Sequence, residues 1–140
     1  MIKTIYLNTA INCNKITTSG GKNLIYSFDI PPTNINKNSK LKVMSLIHNH
    51  SAGTGSKLNI ILKIKDIQYN NETYFGNDGF FPTIVTMDTD KPSYYNGVEL
   101  ILNKQNINFI NLIGTDNIAD INSGIDASIN FCIILQIEDA

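Results

Sequence analysis

Few side chains in this chain have both the type and the spacing for chemistry. His48 and His50 flank Asn49, which puts two imidazoles on one side of an extended segment, spaced to share a metal ion. A structural zinc site takes four ligands, and the other ligands of suitable softness, Cys13 and Cys132, are not at motif spacing. Solvated loop histidines are the better reading. Ser51-Ala52-Gly53-Thr54-Gly55-Ser56-Lys57-Leu58 has the glycines of a phosphate loop but not its order. That loop needs Gly-Lys-Ser/Thr opening a helix, whereas Lys57 precedes Leu58 and leads into a strand. Asp88-Thr89-Asp90 and the set Asp116, Asp120 and Asn122 carry oxygens at calcium-like spacing, yet neither ends in the bidentate Glu of an EF-hand loop. Asp and Asn are also the ordinary residues of turns. No nucleophile elbow or Ser-His-Asp order is present, and Glu72, Glu99 and Glu138 stand far apart. The chain reads as a non-enzyme with no catalytic residue, metal or cofactor.

Composition narrows the classes further. The 140 residues fit one domain, 1–140, and 42% are hydrophobic, within the globular range. Only 16% are charged; polarity comes from 20 Asn, beside 24 Ile, 11 Lys and no Arg. A net charge of −1 without arginine argues against nucleic-acid binding, which needs clustered cations. The longest apolar run, Phe131 to Leu135, is far short of the roughly 20 residues of a membrane helix. Residues 1–8 alternate and lack the apolar block of a signal peptide, so the expectation is a protein kept or assembled inside a cell, with Cys13 and Cys132 as free thiols.

The elements behind these residues have a period of two. Ile129, Phe131, Ile133, Leu135 and Ile137 alternate with a wetter row that Cys132 and Ile134 interrupt, so the second face is partly covered. Leu58, Ile60, Leu62 and Ile64 repeat the pattern, as do Leu24, Tyr26, Phe28 and Ile30. Leu41, Val43 and Ile47 form one side of a further strand, with Met44 and Leu46 filling the other. Ile2 to Leu7, Ile84 to Met87, Val98 to Leu102 (after an Asn96-Gly97 turn signal) and the run from Ile107 to Ile113 complete about eight strands. Thr17 to Gly21, Pro31 to Asn34, Ser51 to Gly55 and Asn70 to Glu72 read as loops. Ile118, Ile121 and Ile125 allow one helical turn at most. Short strands without crossover helices mean an all-β antiparallel sandwich, and about eight of them make a single jelly roll. An immunoglobulin-like sandwich competes, but its usual core Trp is absent.

The stretch Tyr74-Phe75-Gly76-Asn77-Asp78-Gly79-Phe80-Phe81-Pro82-Thr83-Ile84-Val85 is an aromatic, glycine-rich excursion ending in a strand. Together with the strands at Lys40 to Leu46 and Ser128 to Glu138, it resembles the single jelly-roll minor capsid proteins of large double-stranded DNA viruses. The likeness covers most of the chain in strand order and length. It implies a virion structural protein, assembled in the host cytoplasm and placed under or between capsomers or at a vertex as a penton-like subunit. Its partners would be the major capsid protein, neighbouring minor subunits or further copies of itself. Such a subunit needs edges and loops that fit neighbours, and an Asn, Ser and Thr surface loses little side-chain entropy on contact. Tyr74, Phe75, Phe80, Phe81, Tyr94 and Tyr95 are the candidate interface residues, because aromatics anchor interfaces and residues 67–83 exceed the usual length of a connection. The same rings would alternatively plug the open end of the sandwich. A carbohydrate-binding or lectin-like module shares the fold but usually stacks sugars on Trp; a TNF-like trimeric ligand shares it but calls for secretion.

Overall fold

The computed structural model describes residues 1–50, 58–64, 67–68, 72–74, 80–87, 99–116, 124–126 and 128–139. These form twelve strands and, among the described residues, no helix: β1 (Ile2–Asn8), β2 (Cys13–Ser19), β3 (Lys22–Ile35), β4 (Ser39–His48), β5 (Leu58–Lys63), β6 (Ile67–Gln68), β7 (Glu72–Tyr74), β8 (Phe80–Met87), β9 (Glu99–Leu102), β10 (Gln105–Thr115), β11 (Ile125–Asp126) and β12 (Phe131–Glu138). One sheet runs β1-β12-β4-β9-β6 and the other β11-β3-β10-β5-β8-β7, with β2 also on β3. Every pairing is antiparallel.

The eight strands expected from alternation are β1, β3, β4, β5, β8, β9, β10 and β12. Numbered in that order, they pair 1-8-3-6 in one sheet and 2-7-4-5 in the other. This is a single jelly roll: of these eight strands, β5 and β8 share one sheet and every other consecutive pair changes sheets. The core lies between the inner faces, where β12 contributes Phe131, Ile133, Leu135 and Ile137 and β5 contributes Leu58, Ile60 and Leu62. Phe131 spans the gap to Tyr26 and Phe28 of the opposite sheet: its ring meets Tyr26 edge-on at 5.0 Å and Phe28 at 6.3 Å between centroids. Each such side chain contributes roughly 1.5–3 kcal/mol by leaving water.

Several local expectations are corrected. The loop at Thr17 to Gly21 is strand as far as Ser19. Gly20 and Gly21, both at positive φ (56° and 79°), make the two-residue turn that pairs Ser19 with Lys22. The loop at Pro31 to Asn34 lies inside β3. Between the pairs Phe109–Asp29 and Ile107–Thr33 the register shifts, so one residue of β10 faces Ile30, Pro31 and Pro32, and the prolines sit where the ladder skips. In β4 the face assignment reverses after Met44. Val43 pairs with Leu135 and Ser45 with Ile134, so Met44 is an inserted bulge residue; Leu46 turns inward and Ile47 is 62% exposed. In β10 the sequence marks Ile107, Phe109 and Ile113 as one face and Ile110 and Leu112 as the second; it is Ile110 and Leu112 that enter the core cluster, while Phe109 is 55% exposed. Of the loop expected at Asn70 to Glu72, Glu72 opens β7, and of the helical turn allowed over Ile118, Ile121 and Ile125, Ile125 belongs to β11; the loop at Ser51 to Gly55, Asn70 and Asn71, the Asn96-Gly97 turn, Ile118 and Ile121 lie outside the described residues.

Asparagine side chains join the parts. In the β1–β2 connection the Asn12 amide donates to Tyr6 O (2.7 Å) in one sheet and to Asp29 O (3.3 Å) in the other, while its Oδ1 accepts from Asn8 N (2.8 Å). Asn49, following β4, accepts from Asn130 N (2.7 Å) and donates to Ser128 O (3.2 Å). At the same end Thr9 Oγ1 donates to Asn130 Oδ1 (3.0 Å) and accepts from Phe131 N (3.1 Å).

Candidate contact surfaces

The aromatic candidates divide. Phe75, Tyr94 and Tyr95 lie outside the described residues. Tyr74 and Phe80 are register partners across β7 and β8, with their backbones described. Phe81 pairs with Thr73 in the same hairpin, so the fold brings positions 74, 80 and 81 together at the outer edge of one sheet. Phe81 is half-buried, and Lys63 Nζ lies 5.9 Å from its ring centroid, a cation–π contact of about 0.5–1 kcal/mol. Pro82 opposes Glu72 within this pairing rather than preceding the strand.

A second surface is the outer face of the β1-β12-β4-β9 sheet. Ordinary antiparallel sheets put polar groups on a wet face. Here Tyr6 (60% exposed) pairs with Ile134, which pairs with Ser45 beside Met44 (46%), and Cys132 pairs with Ile47. Apolar groups thus run across three adjacent strands at one end of the face. Charge gathers at the other end, where Glu99 takes Lys40 at 3.5 Å and Lys42 at 3.4 Å. Desolvation nudges the Glu99 carboxyl up, but the Lys42 hydrogen bond and the two ammonium charges outweigh it and hold the carboxyl below its usual range. The signal for this surface was in the sequence as the apolar interruptions at Met44, Cys132 and Ile134; the bulge that adds Ile47 was not.

A third feature lies on the outer face of the opposite sheet. Lys15 of β2, Ser27 of β3 and Asn111 of β10 stand side by side, and the next pair along is Asp29 with Phe109. With Asn14 they line a groove of about 490 Å³.

Among the described residues, those first considered for chemistry do not converge on a catalytic arrangement. His50 is buried at 3% exposure, not solvated, and its N–H donates to His48 Nδ1 at 3.1 Å. Cys13 and Cys132 are free, half-buried thiols on different sheets. Burial pushes the Cys13 thiol up, partly offset by backbone hydrogen bonds at Lys15 and Ser27, which makes it a poor nucleophile at neutral pH. No group of three or more His, Cys, Asp or Glu is placed to hold a metal among the described residues. Asp88, Asp90, Asp120 and Asn122 lie outside them. No helix among the described residues is long and apolar enough to cross a membrane. Comparison with family models, curated proteins and solved structures finds no match.

Proposed function

We propose that this chain is a non-enzymatic structural subunit of a virus particle, a minor capsid or vertex protein that acts through protein–protein contacts. The observation that carries the reading is the apolar outer face of the β1-β12-β4-β9 sheet, built from Tyr6, Met44, Ile47 and Ile134 on a single jelly roll. Aromatic and aliphatic groups held on rigid strands are pre-ordered, so covering them with a neighbour costs little conformational entropy. The edge hairpin bearing Tyr74, Phe80 and Phe81 supplies a second contact point at another side of the domain. A subunit with two separated contact points can bridge two neighbours, whether capsid proteins of another kind or further copies of itself. In this reading the protein uses no cofactor and collects in virions assembled in the host cytoplasm.

Two measurements test the reading. Mass in solution by light scattering should give an oligomer or, with candidate capsid partners added, a complex, and Ile47→Lys should weaken it without unfolding the domain. Proteomics of purified particles from the virus encoding the chain should recover it in fixed proportion to the major capsid protein. A protein missing from purified particles, or one that stays monomeric beside every other capsid protein, overturns the proposal.

A further inference from the structure

We infer that the groove on the outer face of the second sheet binds a saccharide. This rests on different residues from the contact surfaces above and stands or falls independently of them.

The groove is lined by Asn14 and Lys15 of β2, Ser27 and Asp29 of β3, and Phe109 and Asn111 of β10. Its polar groups are pre-positioned. Ser27 Oγ donates to Asn111 Oδ1 at 2.7 Å, which orients that amide and leaves its N–H groups for a ligand. Asn14 Nδ2 donates to Asp29 Oδ1 at 2.8 Å, which fixes both side chains and leaves Asn14 Oδ1 and Asp29 Oδ2 as acceptors. Lys15 has no ion-pair partner among the described residues, so its ammonium is a further donor. Donors and acceptors therefore stand together on three neighbouring strands. A hydroxyl both donates and accepts, so neighbouring hydroxyls on one ring match such an array better than a phosphate or a carboxylate, which would meet Asp29 with repulsion.

Phe109 supplies the other half of the recognition. Its ring is 55% exposed on the outer face of β10, beside Asp29 of β3. A saccharide has one face of C–H groups and a rim of hydroxyls. The first covers an aromatic ring and the second meets amides and a carboxylate. The depression is open to solvent, with about 490 Å³ of space above the three strands, so a ring would lie across Phe109 with its other face in water. A second groove of about 510 Å³, lined by residues such as Asn34, Asn36, Lys104 and Asn106, has amides and a lysine but no aromatic ring. It offers hydroxyl partners without a surface for the C–H face and serves as an internal control.

The test is a titration of the isotope-labelled full chain, followed by amide chemical shifts, with the neutral sugars glucose, galactose, mannose, N-acetylglucosamine and N-acetylgalactosamine, each to about 50 mM. At least one sugar should give saturable shifts centred on Lys15, Ser27, Asp29, Phe109 and Asn111, with Kd in the millimolar range. Phe109→Ala, at an exposed site where the fold is not at risk, should weaken that binding about tenfold or more. Asp29→Asn, which keeps the shape but replaces a charged acceptor, should weaken it by a smaller factor. No saturable shift with any of the five sugars overturns the inference. So do shifts that survive Phe109→Ala unchanged, and shifts centred on the groove at Asn34 and Asn106.

Discussion

Replacing Asn12 isolates the contribution of a single amide that ties the two sheets together. Asn12→Ala removes donations to Tyr6 O and Asp29 O and the acceptance from Asn8 N. Two of these bonds are short and the third, at 3.3 Å, is long; none is fully sealed from water. At about 0.5–1.5 kcal/mol for each net bond, discounted for the long one and for exposure, the expected loss is about 2 kcal/mol. Asn12→Asp should be worse at neutral pH. It keeps the acceptor for Asn8 N but aims a carboxylate oxygen at the carbonyl of Tyr6, turning a 2.7 Å attraction into a repulsion. Its loss should reach about 3 kcal/mol. The carboxylate is disfavoured in the fold, so its folded pKa rises above the unfolded value of about 4, and stability relative to the alanine variant returns as pH falls below that range. Urea unfolding of the three proteins at about pH 7 and about pH 3, with unchanged m-values, measures both effects. An aspartate variant as stable as wild type at neutral pH refutes the reasoning. So does a gap between the aspartate and alanine variants that does not close with acid.

Three further outcomes follow from particular contacts. Gly114→Ala places a methyl group against the Ile125 side chain and 3.2 Å from the Tyr26 ring, so it should cost about 1–3 kcal/mol by thermal or urea unfolding, while trimming Ile125 to Val should restore part of the loss. Tyr26 is 1% exposed in the core. Burial pushes its pKa up to about 12, a rise that Asn23 moderates and Cys13 adds to. The folded state therefore holds a proton that the unfolded chain gives up near pH 10, so stability is intact below that value and falls by about 3 kcal/mol as pH climbs towards 12; Tyr26→Phe should remove this slope. Phe80→Ala combined with Phe81→Ala should leave the domain folded by circular dichroism but deficient in assembly, and either unfolding or unchanged assembly would place these rings outside the contact.

The eight jelly-roll strands were legible because each buries one face, and a half-buried strand must write that face into its sequence at every second residue. β2 escaped for the converse reason. From Cys13 to Ser19 it lies at the side of its sheet with most residues exposed, so burial imposes no alternation on it. Pro31 and Pro32 punctuate a sequence as a turn does, yet they sit in a strand where three residues face one and no ladder bond is missed. The exchange of Leu46 for Ile47 turns on the single inserted residue Met44, which no periodicity reveals because a bulge is a change of phase. The groove was illegible in principle. Lys15, Ser27 and Asn111 are unremarkable where they stand in sequence and become neighbours only when three strands find their register.

The proline pair in β3 has a consequence for how the molecule can associate. Beyond Phe28, β3 has left β2 behind, and this stretch of edge would otherwise be open to a strand from another molecule. Pro31 and Pro32 have no N–H to offer, Asp29 N is taken by Asn12 O (3.2 Å), and Asn34 O accepts from Lys3 Nζ (2.7 Å). Backbone groups that would template strand-by-strand growth are missing or already engaged along this side. Strand addition is disfavoured along this stretch of edge, so a neighbouring molecule that meets it engages side chains rather than backbone, and shape decides which partner fits there and in what orientation.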